Sequence, residues 1–184
     1  MNVAIGQGPN SQTPLRMAQF FSALASPDGR ARAPHLLLGA TTPIETDLGV
    51  SRTTREAVWE GMARVIEEGG TAHAAELEHW KLYGKTGTAQ NSADPRRPHA
   101  WFTGFAGPRD GSPPEIVVAV VVEFGESGSG AAAPIGARIA DFYLNRIHGR
   151  ATPRLETPET ARVGSTLDTS PRAAVRDTAP PPRL

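Results

Sequence analysis

Apolar positions fall into blocks along the chain, and their period changes from one block to the next. Thr13-Pro14 opens the first block: threonine suits an N-cap, and proline at the first helical position sacrifices no hydrogen bond, because that N–H has no intrahelical partner. Met17, Phe20, Phe21 and Leu24 follow at i, i+3, i+4 and i+7, with Leu15, Ala18 and Ala25 widening the stripe, which predicts a largely buried helix. Thr53 and Glu56 have capping-box spacing. Val58, Met62, Val65 and Ile66 then mark one face of a second helix that stops at Gly69-Gly70. Strands are predicted around 82–90, 100–106 and 115–124, and the Ile-Val-Val-Ala-Val-Val-Val run in the last suits a strand covered on both faces. Short, turn-rich joins such as Gly107-Pro108 to Pro113-Pro114 predict antiparallel neighbours. A closing helix from Pro134 to Ile147 is expected to bury Ile135, Ile139, Phe142 and Tyr143. Helix, helix, three-stranded meander, helix is an α+β architecture.

Composition sets the limits of this pattern. Six of the 17 prolines fall in residues 150–184, a stretch without an aromatic that cannot bury enough apolar area to offset its ordering entropy. The expected organisation is therefore a folded part over 1–149 and a disordered Pro/Arg-rich tail over 150–184. The longest apolar run, Ile116 to Val122, falls far short of the roughly 20 residues that span a bilayer. Nineteen basic and 19 acidic side chains give a formal charge of zero, which removes the field that nucleic acid would need. The absence of cysteine excludes a thiolate nucleophile or thiolate metal site.

The strongest local chemistry is Lys85-Thr86-Gly87-Thr88-Ala89-Gln90, on the first strand of the meander. A lysine on a strand edge followed by glycine can offer an ammonium, two hydroxyls and an uncovered backbone N–H to one ligand, which makes a carboxylate and oxyanion receptor. A solvated turn with a surface lysine accounts for the tripeptide equally well, so the surrounding residues decide. Other constellations are weaker. His73, Glu76 and His79 fit neither zincin spacing, so no metal site is assigned. Gly125-Glu126-Ser127-Gly128-Ser129-Gly130 lacks the order of a nucleophile elbow and reads as a turn. Trp59, Trp80 and Trp101 are scattered and read as core or partner contacts.

Lys-Thr-Gly is the third signature element of the penicillin-binding proteins and serine β-lactamases, and the collinear context over roughly residues 2–147 resembles the class B transpeptidases of the penicillin-binding protein 2 type. Ala4-Ile5-Gly6-Gln7-Gly8 with Thr13-Pro14-Leu15 and Met17-Ala18 is similar to that family's Gly-Gln-Gly and Thr-Pro-Leu segment. Gly61-Met62 through Gly70-Thr71-Ala72 is similar to the helix and turn before the Lys-Thr-Gly strand, and His99-Ala100-Trp101-Phe102 with Gly104-Phe105-Ala106 to the strand after it. The resemblance implies a transpeptidase fold and a peptidoglycan D,D-transpeptidase that cross-links stem peptides ending in D-Ala-D-Ala and binds β-lactams. It implies catalytic roles for Lys85 and Thr88 and substrate binding by Lys85, Thr86, Gly87 and Thr88, with the Thr88 N–H as half of an oxyanion hole. It implies no metal or organic cofactor, a polytopic glycosyltransferase partner for the parent protein, and the outer face of the cytoplasmic membrane in the bacterial cell envelope.

Two of the family's three catalytic elements have no counterpart in these residues. Lysines occur only at 81 and 85, and the positions three residues before them are Glu78 and Leu82, so Ser-x-x-Lys is absent. Ser-x-Asn is absent too, since no serine stands two residues before Asn10, Asn91 or Asn145. In the family both elements precede the Gly-Gln-Gly segment, so the chain is expected to be the C-terminal portion of the domain and inactive alone. A non-catalytic binding module for stem peptides or a cell-wall partner, and a half-enzyme completed by a serine-bearing chain, are the alternatives.

Overall fold

The computed structural model describes residues 12–90 and 96–152. The Gly-Gln-Gly segment and the tail from residue 153 onward lie outside the described residues. Helix α1 (Pro14–Ala25) starts as expected, with the Thr13 hydroxyl accepting the Arg16 N–H at 3.2 Å. Strands β1 (Arg30–Arg32) and β2 (Ile44–Asp47) form a small antiparallel pair, followed by helix α2 (Arg52–Ile66). A 3-10 turn (His73–Ala75) leads to the meander of β3 (Lys81–Ala89), β4 (His99–Gly107) and β5 (Ile116–Val122), and a π turn (Gly128–Ala132) leads to helix α3 (Ala133–Ile147). The sheet order is β3-β4-β5, antiparallel throughout, with Lys85 opposite Thr103 and Gly104 opposite Val118. This is the α+β meander with packed helices that the sequence predicts.

Strand alternation divides the core into two layers. On one face Leu82, Ala100, Phe102, Ala106 and Val118 pack with Ala133, Ala137, Ala140 and Leu144 of α3. On the other, Tyr83, Phe105 and Val117 pack with Phe21 and Leu24 of α1 and Trp59 and Met62 of α2. Trp59 is locked by its indole N–H, which donates to the Leu24 carbonyl at 2.8 Å. Trp80 is buried and donates to Asn145 Oδ1 at 3.0 Å, the polar contact that lets both groups lie inside. Arg150 extends this corner, its backbone N–H donating to the Asn145 carbonyl at 2.8 Å.

Several expectations are corrected. Ser51, not Thr53, caps α2: its hydroxyl accepts the Thr54 N–H at 3.1 Å, and Glu56 pairs with Arg52 at 2.6 Å instead of closing a capping box. The helix ends at Ile66, before the Gly69-Gly70 turn. Leu15, Phe20 and Val58 are exposed members of otherwise buried stripes. The largest correction concerns α3, where Ile135, Ile139, Phe142 and Tyr143 point outward, 39–49% exposed, while Ala133, Gly136, Ala137, Ala140 and Leu144 face the sheet. The reason is Phe102, whose ring stands up from β4 so close to the helix that a Cβ on Gly136 would lie 2.6 Å from its Cδ1. Only small residues fit there. In β5 only Val118 is fully buried, because helices cover both faces but no described strand pairs with its outer edge.

Candidate functional site

The four residues singled out by the motif all lie on β3, the outer strand on its side of the meander. Lys85 and Thr88 are exposed, Thr86 and Gly87 half-buried. The pleat puts Lys85 and Gly87 on the α1 face with Tyr83, and Thr86 and Thr88 on the α3 face. A ligand that meets the ammonium and both hydroxyls therefore has to run along the outer edge of β3, where alternate backbone groups also point away from β4. The Lys85 ammonium donates to the Thr86 carbonyl beside that edge and pairs with no carboxylate among the described residues.

Glycines set the thickness of the site. The space above Gly87 is open, a Cβ there meeting only Trp101 Cβ at 3.4 Å. Beneath it, Gly128 presses against the strand so closely that a Cβ would lie 2.4 Å from the Trp101 carbonyl oxygen, 2.5 Å from that of Gly87 and 2.9 Å from the Gly87 nitrogen. The motif strand is thus backed directly by the π turn that precedes α3. Gly84 has a matching role one residue before Lys85, lying on the Phe102 ring.

Further along the α1 face, Lys81 donates to Glu67 at 2.6 Å, and that bond with the lysine's charge holds the Glu67 carboxyl below its ordinary range. An open groove of about 530 Å³ runs there between α2 and β3, floored by Trp59 and Tyr83, and Lys85 does not line it. His73 lies 3.6 Å from Glu76, and His79 lies 3.9 Å from Glu78; no metal-holding cluster forms among the described residues. What the sequence does not signal is the ordered loop behind Gly87. Phe124 and Glu126 both adopt left-handed backbone conformations, φ 56° and 62°, and are tied to the start of β4; only the glycines around them hint at such a turn.

Comparison with known proteins matches this arrangement. A model of the penicillin binding protein transpeptidase domain covers residues 1–141. Peptidoglycan D,D-transpeptidase MrdA of Haemophilus influenzae is 34% identical over 79% of this chain, which spans 26% of that relative's length. A ceftriaxone acyl-enzyme complex of penicillin-binding protein A from Mycobacterium tuberculosis is 30% identical at a TM-score of 0.59, over 73% of this chain and 33% of that one. A structure described as coordinating polymerization and crosslinking in a peptidoglycan synthase complex is 33% identical at a TM-score of 0.61, over 76% of this chain and 25% of that one. The meander with its Lys85–Thr88 edge, the covering helices and these likenesses agree: the chain belongs to the penicillin-binding protein transpeptidase family.

Proposed function

We propose that the chain is the C-terminal portion of a peptidoglycan D,D-transpeptidase, in which the outer edge of β3 receives the terminal carboxylate of a D-Ala-D-Ala stem peptide. The observation that carries this is the Lys85 ammonium, exposed beside Thr86 and Thr88 without a carboxylate partner among the described residues. In the reaction a serine hydroxyl attacks the penultimate D-alanine carbonyl, the terminal D-alanine leaves with a proton, and an amine of a second peptide then displaces the serine. Lys85 draws the carboxylate in, and the Thr86 and Thr88 hydroxyls bond to it. Gly87 lets the acyl donor lie flat, and the Thr88 N–H stabilises the oxyanion, a contact whose loss typically costs about 100 to 1,000-fold in rate.

The serine is not in this sequence, so acylation needs residues from outside it. β-Lactams would occupy the same edge through their own carboxylate, which accords with the acyl-enzyme complex of the mycobacterial relative. A glycosyltransferase partner and a place in the cell envelope for the parent protein belong to the same proposal, supported by likeness to a peptidoglycan synthase complex in which polymerization and crosslinking are coordinated; among the described residues no helix is long and apolar enough to cross a membrane.

Fluorescent penicillin tests the assignment. The chain alone is expected to give no covalent label, and to give one after mixing with a fragment bearing Ser-x-x-Lys and Ser-x-Asn if it acts as a half-enzyme. Lys85→Ala should abolish that label or reduce it at least tenfold. Label on the isolated chain would overturn the missing nucleophile. Reversible peptide binding weakened by Lys85→Ala, with no label under either condition, would favour the binding module.

A further inference from the structure

The loop between β5 and α3 holds two non-glycine residues in left-handed conformations, Phe124 and Glu126, on either side of Gly125. An aromatic residue in that region is unfavourable and persists only where neighbours over-determine it. The neighbours are at the start of β4. The Phe124 N–H donates to His99 Nδ1 at 3.1 Å, the two rings lie 5.1 Å apart, and the Arg97 guanidinium sits 4.8 Å from the Phe124 ring centroid. The Glu126 N–H donates to the Pro98 carbonyl at 3.0 Å. Two residues later Gly128 closes on the backbone of Gly87 and Trp101. One short loop therefore joins the His99 imidazole to the back of the Lys85–Thr88 strand.

We infer that His99 is a positioning residue for the β3 edge: by accepting the Phe124 N–H it fixes the loop that seats Gly128 behind Gly87, and protonation of its imidazole releases that loop. The inference rests on the reading of Lys85–Thr88 as the carboxylate-binding edge. Its chemistry is simple. An imidazole that accepts at Nδ1 is neutral with its proton on Nε2; an imidazolium carries N–H on both nitrogens and has no lone pair for the Phe124 N–H. The Phe124 amide then loses its partner, and with it the contact that offsets the left-handed backbone. The charged residues adjoining His99 and its hydrogen-bond partner in sequence are Arg96 and Arg97 before β4, with the Arg97 guanidinium against the Phe124 ring, and Glu123 and Glu126 flanking the Phe124-Gly125 turn; Ala89, its register partner on β3, brings no charge.

The test is hydrogen exchange of the full chain at about pH 8 and about pH 5, with rates corrected for their intrinsic pH dependence. In the unmodified chain, protection of segment 123–128 should fall about tenfold or more at the lower pH, and segment 84–90 should fall with it. His99→Asn places an amide oxygen where Nδ1 stood and does not titrate, so both segments should stay protected at both pH values. His99→Gln sets its oxygen at the Nε2 position, so the loop should be open at both. Acid-induced loss that persists in His99→Asn, or loop opening that leaves 84–90 unchanged, overturns the inference. Comparing the unmodified chain with His99→Asn decides the matter even if the other variant does not fold. Binding of N-acetyl-D-Ala-D-Ala separates the two readings. Coupled exchange without peptide binding removes the carboxylate site and leaves the loop coupling standing, whereas peptide binding indifferent to pH and to His99→Gln removes the positioning role alone.

Discussion

Gly84→Ala is the substitution whose cost can be worked most directly from the packing. The Phe102 ring is 0% exposed and is enclosed by three glycines. A Cβ on Gly84 would lie 2.5 Å from its Cε2, one on Gly136 2.6 Å from Cδ1, and one on Gly104 3.1 Å from Cζ. Non-bonded carbons rest at about 3.5–4.0 Å, so the new methyl demands a displacement of about 1 Å. The ring cannot give it by moving toward α3, where Gly136 already lies in contact, so β3 has to move away from β4. Overpacking of this kind costs about 1–3 kcal/mol, and the upper half is expected because both sides are confined. Phe102→Leu removes the obstructing ring edge at about 1–3 kcal/mol. In the double variant the Gly84 methyl enters vacated space, so its cost should be less than the sum by about 1–2 kcal/mol. Urea unfolding followed by tryptophan fluorescence, at one low chain concentration and with m-values compared, measures all three. Additivity within about 0.5 kcal/mol, or a Gly84→Ala chain as stable as the parent, would refute the packing argument.

Trp80→Phe leaves the buried Asn145 Oδ1 without its donor, which should cost about 1–3 kcal/mol; an unchanged urea midpoint would contradict the pairing. The outer edge of β5, apolar and without a described partner strand, should drive self-association of the isolated chain, and Val121→Lys should reduce it. Sedimentation velocity checks this, and a monodisperse unmodified chain counts against an open edge. Acid should loosen the β1–β2 pair. Glu45 is held below its ordinary 4.5 by hydrogen bonds from Arg16 and then Gln19, and Asp47 below 3.8 by the Gly49 N–H and then Arg30. A depressed folded value means stabilisation present above the ordinary pKa and lost as pH falls through the folded one. Both groups are exposed, so the effect should be small and weaken with salt. Exchange protection of residues 30–47 that stays constant from about pH 5 to about pH 2.5 would exclude it.

What the sequence reveals and what it hides divide along physical lines. β4 and β5 are readable to within a residue or two because Pro98, Gly107-Pro108 and Pro113-Pro114 bound their apolar runs, and β3 is readable through the contiguous chemistry of Lys85–Thr88. The β1–β2 pair is invisible because its strands are short and mostly polar, Arg-Ala-Arg and Ile-Glu-Thr-Asp, with no apolar alternation to mark them, and their ion pairs, Arg30 to Asp47 at 2.9 Å and Arg16 of α1 to Glu45 at 2.8 Å, join residues far apart in sequence. The Phe124–Glu126 loop is hidden because no propensity assigns a left-handed backbone to phenylalanine or glutamate.

The misread face of α3 is the most instructive case. Taking the largest hydrophobics as the core face presumes that a helix has one apolar neighbour, and α3 is apolar on two sides. Its small residues meet the sheet, while Ile135, Ile139 and Phe142 form a stripe that nothing described covers. A helix apolar on both sides is built to lie between two layers. The same holds for β5, the strand beneath it, with one edge paired and one open, and for Leu36, Leu37 and Leu38, fully or largely exposed between β1 and β2. Contiguous exposed apolar surface on a folded domain commonly marks an interaction face. On the proposed reading, these faces, uncovered among the described residues, are where the rest of a transpeptidase domain would pack, an expectation that does not depend on the missing serine.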